Sequence, residues 1–247
     1  MLLISEVTPM FVSKHPASFD LPRYLSLQPL FSGLGEADLQ RIAADGCALL
    51  RLVRGEPLPQ GCPQGSECFH IVVTGQLKLF ALASNGGEKV MELVGPGQSV
   101  GETLMFNEQA HQVNGQALTD VLLLRIPKAA ITAQISRDPA FALRLLDHAS
   151  QRIQSLQRDV ESYCLHSGVQ RVAGFLLGRH APPQPGAGLP HTVSLPVSKA
   201  TIASRLSLTP EYFSRVLREL EDEGLIAISR RDIRILRPQS LASYTLQ

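Results

Sequence analysis

Long hydrophobic runs, closely spaced cysteines and a strong net charge are all missing from this sequence. No apolar run approaches the roughly 18 residues of a membrane-spanning helix, so no membrane span is predicted. The first six residues lack the basic region and the small-residue cleavage site of a signal peptide, so we expect a mature N-terminus and a cytoplasmic protein. The 247 residues are 44% hydrophobic and 18% charged, which excludes a disordered chain and suits one or two domains.

The four cysteines contain no Cys-x-x-Cys pair, which argues against a zinc or iron–sulfur site because the ligands of such sites are usually closer together. They are Cys47, Cys62, Cys68 and Cys164. We expect free thiols in a reducing compartment. A redox-sensing pair formed by Cys62 and Cys68 is the alternative.

The net charge of +1 hides an uneven distribution. Residues 1–165 hold 13 Lys and Arg against 16 Asp and Glu, whereas residues 166–247 hold 10 against 6. The C-terminal part therefore has a balance of +4 (10 minus 6) and is the part expected to meet a polyanion.

Short β-rich runs separated by glycine-containing turns fill the region from about residue 49 to residue 126. Asn85-Gly86 between two such runs predicts a hairpin, because Asn-Gly supplies the positive φ angles of a tight turn. Many short strands with regular turns predict a barrel-like or jelly-roll domain. The predicted strands are 69–73, 76–80, 89–94 and 121–126, and a short helix is predicted before them at 35–45.

A long helix is predicted from about Pro139 to His166, and its apolar residues follow a heptad spacing. They are separated by alternating steps of four and three, which is typical of two helices packed along a common seam. The helix could instead lie on its own β-domain. The seam predicts a homodimer and consists of Ala142, Leu146, Ala149, Ile153, Leu156, Val160 and Tyr163, of which Leu146, Ala149, Ile153, Leu156 and Val160 are the predicted interface residues.

Two short capped helices follow a proline-rich connector at 181–190 and a helix predicted at 168–179. Ser198 is a good N-cap for the first, and Thr209 with Pro210 begins the second, after a turn at Ser207-Leu208. Two such helices joined by a tight turn form a helix-turn-helix.

The second helix of this pair has one apolar and one polar face. Phe213, Val216, Leu217 and Leu220 share the face that is expected to pack inward. On the opposite face an arginine can donate two hydrogen bonds to guanine, and a glutamate can accept one from cytosine. The DNA-binding candidates are Ser198, Lys199 and Thr209 at the helix starts, and Glu211, Ser214, Arg215 and Arg218 on the polar face.

A β-hairpin is predicted after Gly224, with strands at 225–229 and 233–236. Arg230 and Arg231 at its tip could touch phosphate and complete a winged helix, or could be an ordinary basic loop.

The order of these parts resembles the Crp/Fnr family of bacterial transcription regulators from about residue 24 to residue 240. The resemblance rests on the glycine-spaced stretch 61–78, on Gly95-Pro-Gly-Gln-Ser-Val-Gly-Glu102 and on the stretch Ile202–Ile226. It implies an α+β fold with a cyclic-nucleotide-binding-like β-roll, or jelly roll, followed by a long dimerisation helix and a C-terminal winged helix-turn-helix. The implied division is an N-terminal arm at 1–22, a sensor domain at 23–136, the dimerisation helix at 137–166 and the DNA-binding domain at 167–247.

The resemblance also implies the activity and the partners. Glu211, Ser214 and Arg215 match the Glu-x-x-Ser-Arg recognition helix of the Fnr-type members, which read inverted repeats of TTGAT-like half-sites. The family commonly has glycine where this chain has Ser207. The implied partners are double-stranded DNA, a second copy of the chain, RNA polymerase and a small-molecule or gas effector, with no membrane and no enzymatic activity. A winged helix that binds protein instead of DNA is the rival, while a double-stranded β-helix enzyme is disfavoured because no His-x-Asp or His-x-Glu pair is present.

The effector is left open. Gly101, Glu102, Gln112 and Val113 are the candidate pocket residues, but Gln112 and Val113 stand where cyclic-AMP-binding members have Arg-Ser, so cyclic AMP is not expected. Residues 1–40 contain no cysteine, so an iron–sulfur cluster is not expected either. Gas-sensing members with haem are also similar, and a small organic ligand or no ligand are the alternatives. The candidate haem ligands are His15, His70, His111 and His166.

Overall fold

A computed structural model describes residues 19–59, 67–84, 86–107, 114–178 and 189–244, with the side chains of residues 103 and 104 left aside. The chain forms two compact units. The first unit contains residues 1–81 and 91–148, and the second contains residues 82–90 and 149–247. Within the described ranges no helix is both long and apolar enough to cross a membrane.

Two antiparallel sheets form the predicted β-roll. The four-stranded sheet has the order β1-β7-β2-β5 and the three-stranded sheet has the order β4-β3-β6. Strands β3 and β4, on either side of the hairpin predicted at Asn85-Gly86, are neighbours in the three-stranded sheet, while Asn85 itself lies outside the described residues. The strands are β1 (Ala48–Leu52), β2 (Cys68–Thr74), β3 (Leu77–Leu82), β4 (Glu88–Val94), β5 (Ser99–Val100), β6 (Asn114–Ala117) and β7 (Val121–Pro127).

Short helices cover one side of this roll and share its main core. Phe31, Phe69 and Phe141 are fully buried there beside Leu124 and Ile126. The helices are α1 (Leu21–Ser26), α2 (Glu36–Ala44), α3 (Glu102–Phe106) and α4 (Lys128–Arg137), with a 3-10 turn at Pro29–Phe31. Helix α1 begins at Leu21, within the last two residues of the predicted arm at 1–22, and Leu21 is buried in this core.

The long helix α5 (Pro139–Leu165) ends one residue before its predicted end. The predicted boundaries at 136 and 166 bracket this helix, whereas the compact units divide within it, after His148. The second unit also takes residues 82–90 from the β3–β4 hairpin. The fourfold division of the chain therefore stays a prediction.

The second unit has the predicted helix-turn-helix and a three-stranded sheet of order β8-β10-β9. Its strand β8 was not predicted and pairs antiparallel with β10. The helix predicted at 168–179 ends at Leu176, because Gly178 turns the chain with a φ of +67°. The elements are α6 (Gly168–Leu176), β8 (His191–Ser194), α7 (Lys199–Arg205), α8 (Pro210–Asp222), β9 (Ile226–Ser229), β10 (Asp232–Ile235) and α9 (Pro238–Ser243).

Candidate nucleic-acid interface

Both helices of the helix-turn-helix begin at the predicted caps. The Ser198 hydroxyl accepts a hydrogen bond from the backbone N–H of Thr201 at 3.1 Å, and the Thr209 hydroxyl accepts one from Tyr212 N–H at 3.2 Å. Each cap satisfies a backbone donor that the first helical turn leaves unpaired. The starts of α7 and α8 are thus determined by local sequence.

The turn between these helices requires an unusual backbone angle at Ser207. Its φ is +55°, in the left-handed region that favours glycine. The adjacent Leu208 N–H donates to the carbonyl of Ala203 at 2.9 Å and closes the turn. The residue that departs from the family pattern therefore occupies the position where glycine fits most easily.

Helix α8 presents its polar face outward. The predicted inner residues Phe213, Val216, Leu217 and Leu220 are all buried. Glu211, Arg215 and Arg218 are exposed and Ser214 is half-buried. Together with Pro210 they line an open concavity of about 550 Å³. The cap residues Ser198 and Thr209 are exposed as well, and Lys199 is half-buried.

The hairpin after α8 carries two arginines at its tip. Arg230 has a φ of +54°, and both Arg230 and Arg231 are exposed. The hairpin is tied to α8, since the Ile228 N–H donates to the Glu221 carboxylate at 2.7 Å. A contact of these arginines with phosphate stays a prediction.

Elsewhere in the second unit, the C-terminal half of α5 contributes a polar network that the sequence did not predict. A terminal nitrogen of Arg205 donates to the Asp159 carboxylate at 2.5 Å, and the Tyr163 hydroxyl donates to the Arg205 carbonyl at 2.6 Å. The Lys89 ammonium donates to the carbonyls of Ser204 and Arg205 at the end of α7 and lies 4.7 Å from the centre of the Tyr163 ring.

Electrostatics in this network act most strongly on Lys89. Burial, followed by the nearby charges of Arg205 and Arg171, lowers the pKa of Lys89 to about 8, and Asp159 acts against this decrease. Tyr163, predicted as part of the apolar seam, is half-buried in this network instead. Its hydroxyl and its ring find partners within the chain, which the heptad pattern did not predict.

The five predicted interface residues are exposed on α5, whereas Ala142 of the seam is half-buried. The exposed fractions are 63% for Leu146, 57% for Ile153, 44% for Leu156 and 59% for Val160, and Ala149 is exposed too. An apolar groove of about 540 Å³ follows this face and also includes Cys164 and Leu165.

The candidate effector pocket is described only in part, because Gln112 and Val113 lie outside the described residues. Gly101 has a φ of +98°, which explains a glycine there, and Glu102 begins α3. His148 of α5, which the sequence did not single out, lies 3.0 Å from the Ser99 hydroxyl and 3.5 Å from the Glu102 carboxylate. Its distance in sequence from Glu102 explains why no motif predicted the contact.

Two of the four candidate haem ligands lie within the described residues. His70 is buried on β2, paired with Val100 and Arg125 on either side. Burial and the charge of Arg125 lower its pKa to about 4, so it is neutral at pH 7. His166 is half-buried after α5, while His15 and His111 lie outside the described residues. Haem binding, one of the alternatives for the effector, is therefore untested.

No metal-binding group of three or more His, Cys, Asp or Glu side chains occurs within the described part of the chain. Cys68 is buried on β2, Cys47 is half-buried and Cys164 is exposed. Cys62 lies outside the described residues, so the redox pair is untested.

Each of the two units matches a known protein family in sequence. Residues 50–138 match the family described as the cyclic nucleotide-binding domain, and residues 170–244 match the Crp-like helix-turn-helix domain. The chain is 28% identical over 217 residues to the probable transcriptional regulator flp of Lacticaseibacillus casei, covering 87% of this chain and 95% of that protein. It is 29% identical over 170 residues to the nitrogen fixation regulation protein FixK of Bradyrhizobium diazoefficiens, covering 69% of this chain and 70% of that one.

The solved structure of FixK2 from Bradyrhizobium japonicum has the same fold. Its TM-score is 0.68 at 22% identity, and the match covers 80% of this chain and 96% of that one. The cyclic nucleotide-binding match falls mainly on the first unit, and the helix-turn-helix match falls on the second. The chain therefore belongs to the Crp/Fnr family of transcription regulators.

Proposed function

We propose that this regulator is a homodimer that reads an inverted repeat of TTGAT-like half-sites with helix α8. The observation that carries the proposal is the orientation of α8, whose apolar side chains are buried while Glu211, Arg215 and Arg218 face solvent. In a recognition helix the N-terminal residues meet base edges in the major groove. Glu211 and Ser214 lie in that part of the helix, next to Arg215.

Each polar residue has a role that suits its chemistry. Arg215 donates two parallel hydrogen bonds to guanine, and Glu211 accepts one from a cytosine amino group. Ser214 contacts a base or a phosphate. Lys199, Arg218 and the cap hydroxyls of Ser198 and Thr209 position the unit on the DNA backbone, a role that orients the protein without reading sequence.

Dimerisation through α5 explains its exposed face. Leu146, Ile153, Leu156 and Val160 leave apolar side chains in water that a second α5 would cover, and regulators of this family typically act as dimers. A dimer places two recognition helices about one DNA turn, or 34 Å, apart. Because bacterial DNA is in the cytoplasm, the protein acts there, as a regulator and not an enzyme.

Effector control follows from the same arrangement. A small molecule or gas bound near Gly101 and Glu102 would favour one of two arrangements of the dimer by binding it more tightly. Helix α5 carries residues of both units, so it is the element through which the signal passes. RNA polymerase is the partner of the DNA-bound dimer.

The test compares three full-length proteins on one palindromic duplex and its scrambled version. Arg215→Ala weakens specific binding by about 1–3 kcal/mol per half-site. Arg215→Lys keeps the charge but loses the paired hydrogen bonds, so it keeps the salt dependence and loses most of the preference for the palindrome. A palindrome lengthened by half a DNA turn binds the wild type weakly. If the wild type bound the palindrome and its scrambled version with equal affinity, the proposal would be overturned.

A further inference from the structure

The aromatic ring of Tyr212 lies beneath the guanidinium of Arg215, one helical turn further along α8. The central guanidinium carbon is 4.7 Å from the ring centre, within the range of a cation–π contact. The Arg215 Nε lies 3.7 Å from the Glu219 carboxylate on the other side. The side chain of Arg215 is nevertheless 65% exposed. The guanidinium therefore has two neighbours on its own helix and still leaves most of the side chain open to solvent.

The ring of Tyr212 in turn lies against Gly168 at the start of α6. A Cβ atom added to Gly168 would collide with Cε1 of the Tyr212 ring and lie 2.9 Å from its Cζ and hydroxyl oxygen. The ring edge thus rests against the backbone of Gly168, and a side chain at position 168 would require the ring to move. Gly168 begins α6, and a capping box formed by Ser167 and Gln170 holds that helix end. The backbone of Tyr212 is tied to the Thr209 cap as well.

We propose that Tyr212 is a specificity-determining positioning residue, whose ring, seated against Gly168, holds the Arg215 guanidinium in the orientation that pairs with guanine. This inference rests on the proposed DNA readout and extends it to a residue that touches no base. An exposed arginine has many rotamers, and ordering them on binding costs free energy. The Tyr212 ring restricts these rotamers before binding and so lowers the free energy of ordering. Only the base pair that fits the restricted orientation benefits.

A purely structural role for Tyr212 makes a different prediction. If the ring only packs α6 against α8, its loss reduces stability and weakens binding to every DNA sequence equally. If the ring orients Arg215, its loss reduces the preference for one base pair, and the affinity for unrelated DNA stays the same. The two roles are thus separated by comparing base-pair preferences within one protein.

The experiment uses the full-length protein and a palindromic duplex with two TTGAT half-sites, in which the single G·C pair of each half-site is replaced in turn by the other pairs. Fluorescence anisotropy gives the dissociation constants. Tyr212→Leu is expected to lose about 5- to 30-fold of the preference for G·C, and Tyr212→Phe, which keeps the ring, stays close to wild type. The affinity for scrambled DNA and its salt dependence are unchanged in both.

Gly168→Ala supplies an independent variant in which the ring is intact but displaced. It is expected to lose a similar share of the preference, while alanine suits a helix at least as well as glycine. In the double variant Gly168→Ala, Tyr212→Leu, the alanine adds no further loss, because no ring remains to be displaced. If Tyr212→Leu does not fold, as judged by circular dichroism, Gly168→Ala carries the test.

The outcomes separate this inference from the proposed function. If the wild type does not prefer the palindrome over scrambled DNA, both proposals fail. If the wild type prefers it and Tyr212→Leu or Gly168→Ala keeps the full G·C preference, only the role of Tyr212 is overturned. A uniform loss of affinity on all duplexes also overturns it, in favour of simple packing.

Discussion

Helix α8 and the C-terminal half of α5 lie in the same unit, and both are amphipathic, but in opposite senses. Helix α8 buries Phe213 and Val216 and exposes its charges. The C-terminal half of α5 buries Asp159 and Ser162, each only 5% exposed, and exposes Ile153 and its apolar neighbours. The difference lies in the outer faces: that of α8 presents charged side chains of both signs, and that of α5 presents apolar side chains that suit another apolar surface.

The inner face of α5 is stable only because its polar groups are paired. A buried charge without a partner is costly, so Asp159 needs Arg205, and the Lys89 ammonium is paired with the carbonyls of Ser204 and Arg205 at the end of α7. The inner face of α8 needs no such pairing because it is apolar. The same unit thus contains one interface stabilised by apolar burial and one stabilised by a charge network.

The largest effect is expected from truncating the apolar face of α8. Phe213→Ala removes a fully buried ring and should lower the free energy of unfolding by about 3–5 kcal/mol. The matched variant Leu156→Ala truncates an exposed residue of α5 and should change the stability of the monomeric chain by less than about 0.5 kcal/mol. Urea unfolding at a protein concentration below dimer formation measures both. Equal losses would mean that the outer face of α5 is covered within its own chain.

Local sequence signals predicted α8 almost completely, because its cap, its proline and its apolar spacing all lie within one stretch. The same reasoning found the exposed residues of α5 but assigned Tyr163 to their seam. Its actual partner, Arg205, is 42 residues away in sequence, so no local pattern could indicate the contact. A residue's environment was predictable where the neighbours in space are also neighbours in sequence.

The first unit follows the same rule. Long apolar strands such as β7 were predicted, whereas β5 has two residues and β6 reads Asn-Gly-Gln-Ala, so both exist only through pairing with distant strands. The burial of His70 likewise depends on its register beside Val100 and Arg125. The pocket residues Gly101 and Glu102 were predicted from the family resemblance. Their neighbour His148 was found only in the structure.

A pH dependence is expected from the charge network on the inner face of α5, and none from the apolar face of α8. The pKa of Lys89 is lowered to about 8 in the folded chain from 10.5 in the unfolded one, so the unfolded chain binds more protons between these values. Stability must therefore rise with pH above about 8, with a slope below about 1.4 kcal/mol per pH unit. Urea unfolding between pH 8 and pH 10 measures it.

Lys89→Met serves as the control for this titration, since it keeps the length of the side chain and removes the proton. The stability of the wild type relative to this variant should rise across the window. In Asp159→Asn the carboxylate that opposes the decrease is gone, so the pKa of Lys89 falls further and the rise begins at lower pH. A flat difference between wild type and Lys89→Met would show that Lys89 is hydrated in solution.

The smallest effect is expected from the N-terminal cap of α8, which is exposed to solvent. Thr209→Ala removes the acceptor for the Tyr212 N–H and should lower the free energy of unfolding by about 1 kcal/mol. Thr209→Ser keeps the acceptor and should restore most of it. Thermal unfolding of the three proteins measures the change. A loss in Thr209→Ser as large as in Thr209→Ala would assign the stabilisation to the threonine methyl group, and α8 would then depend on apolar contact at its start as it does along its inner face.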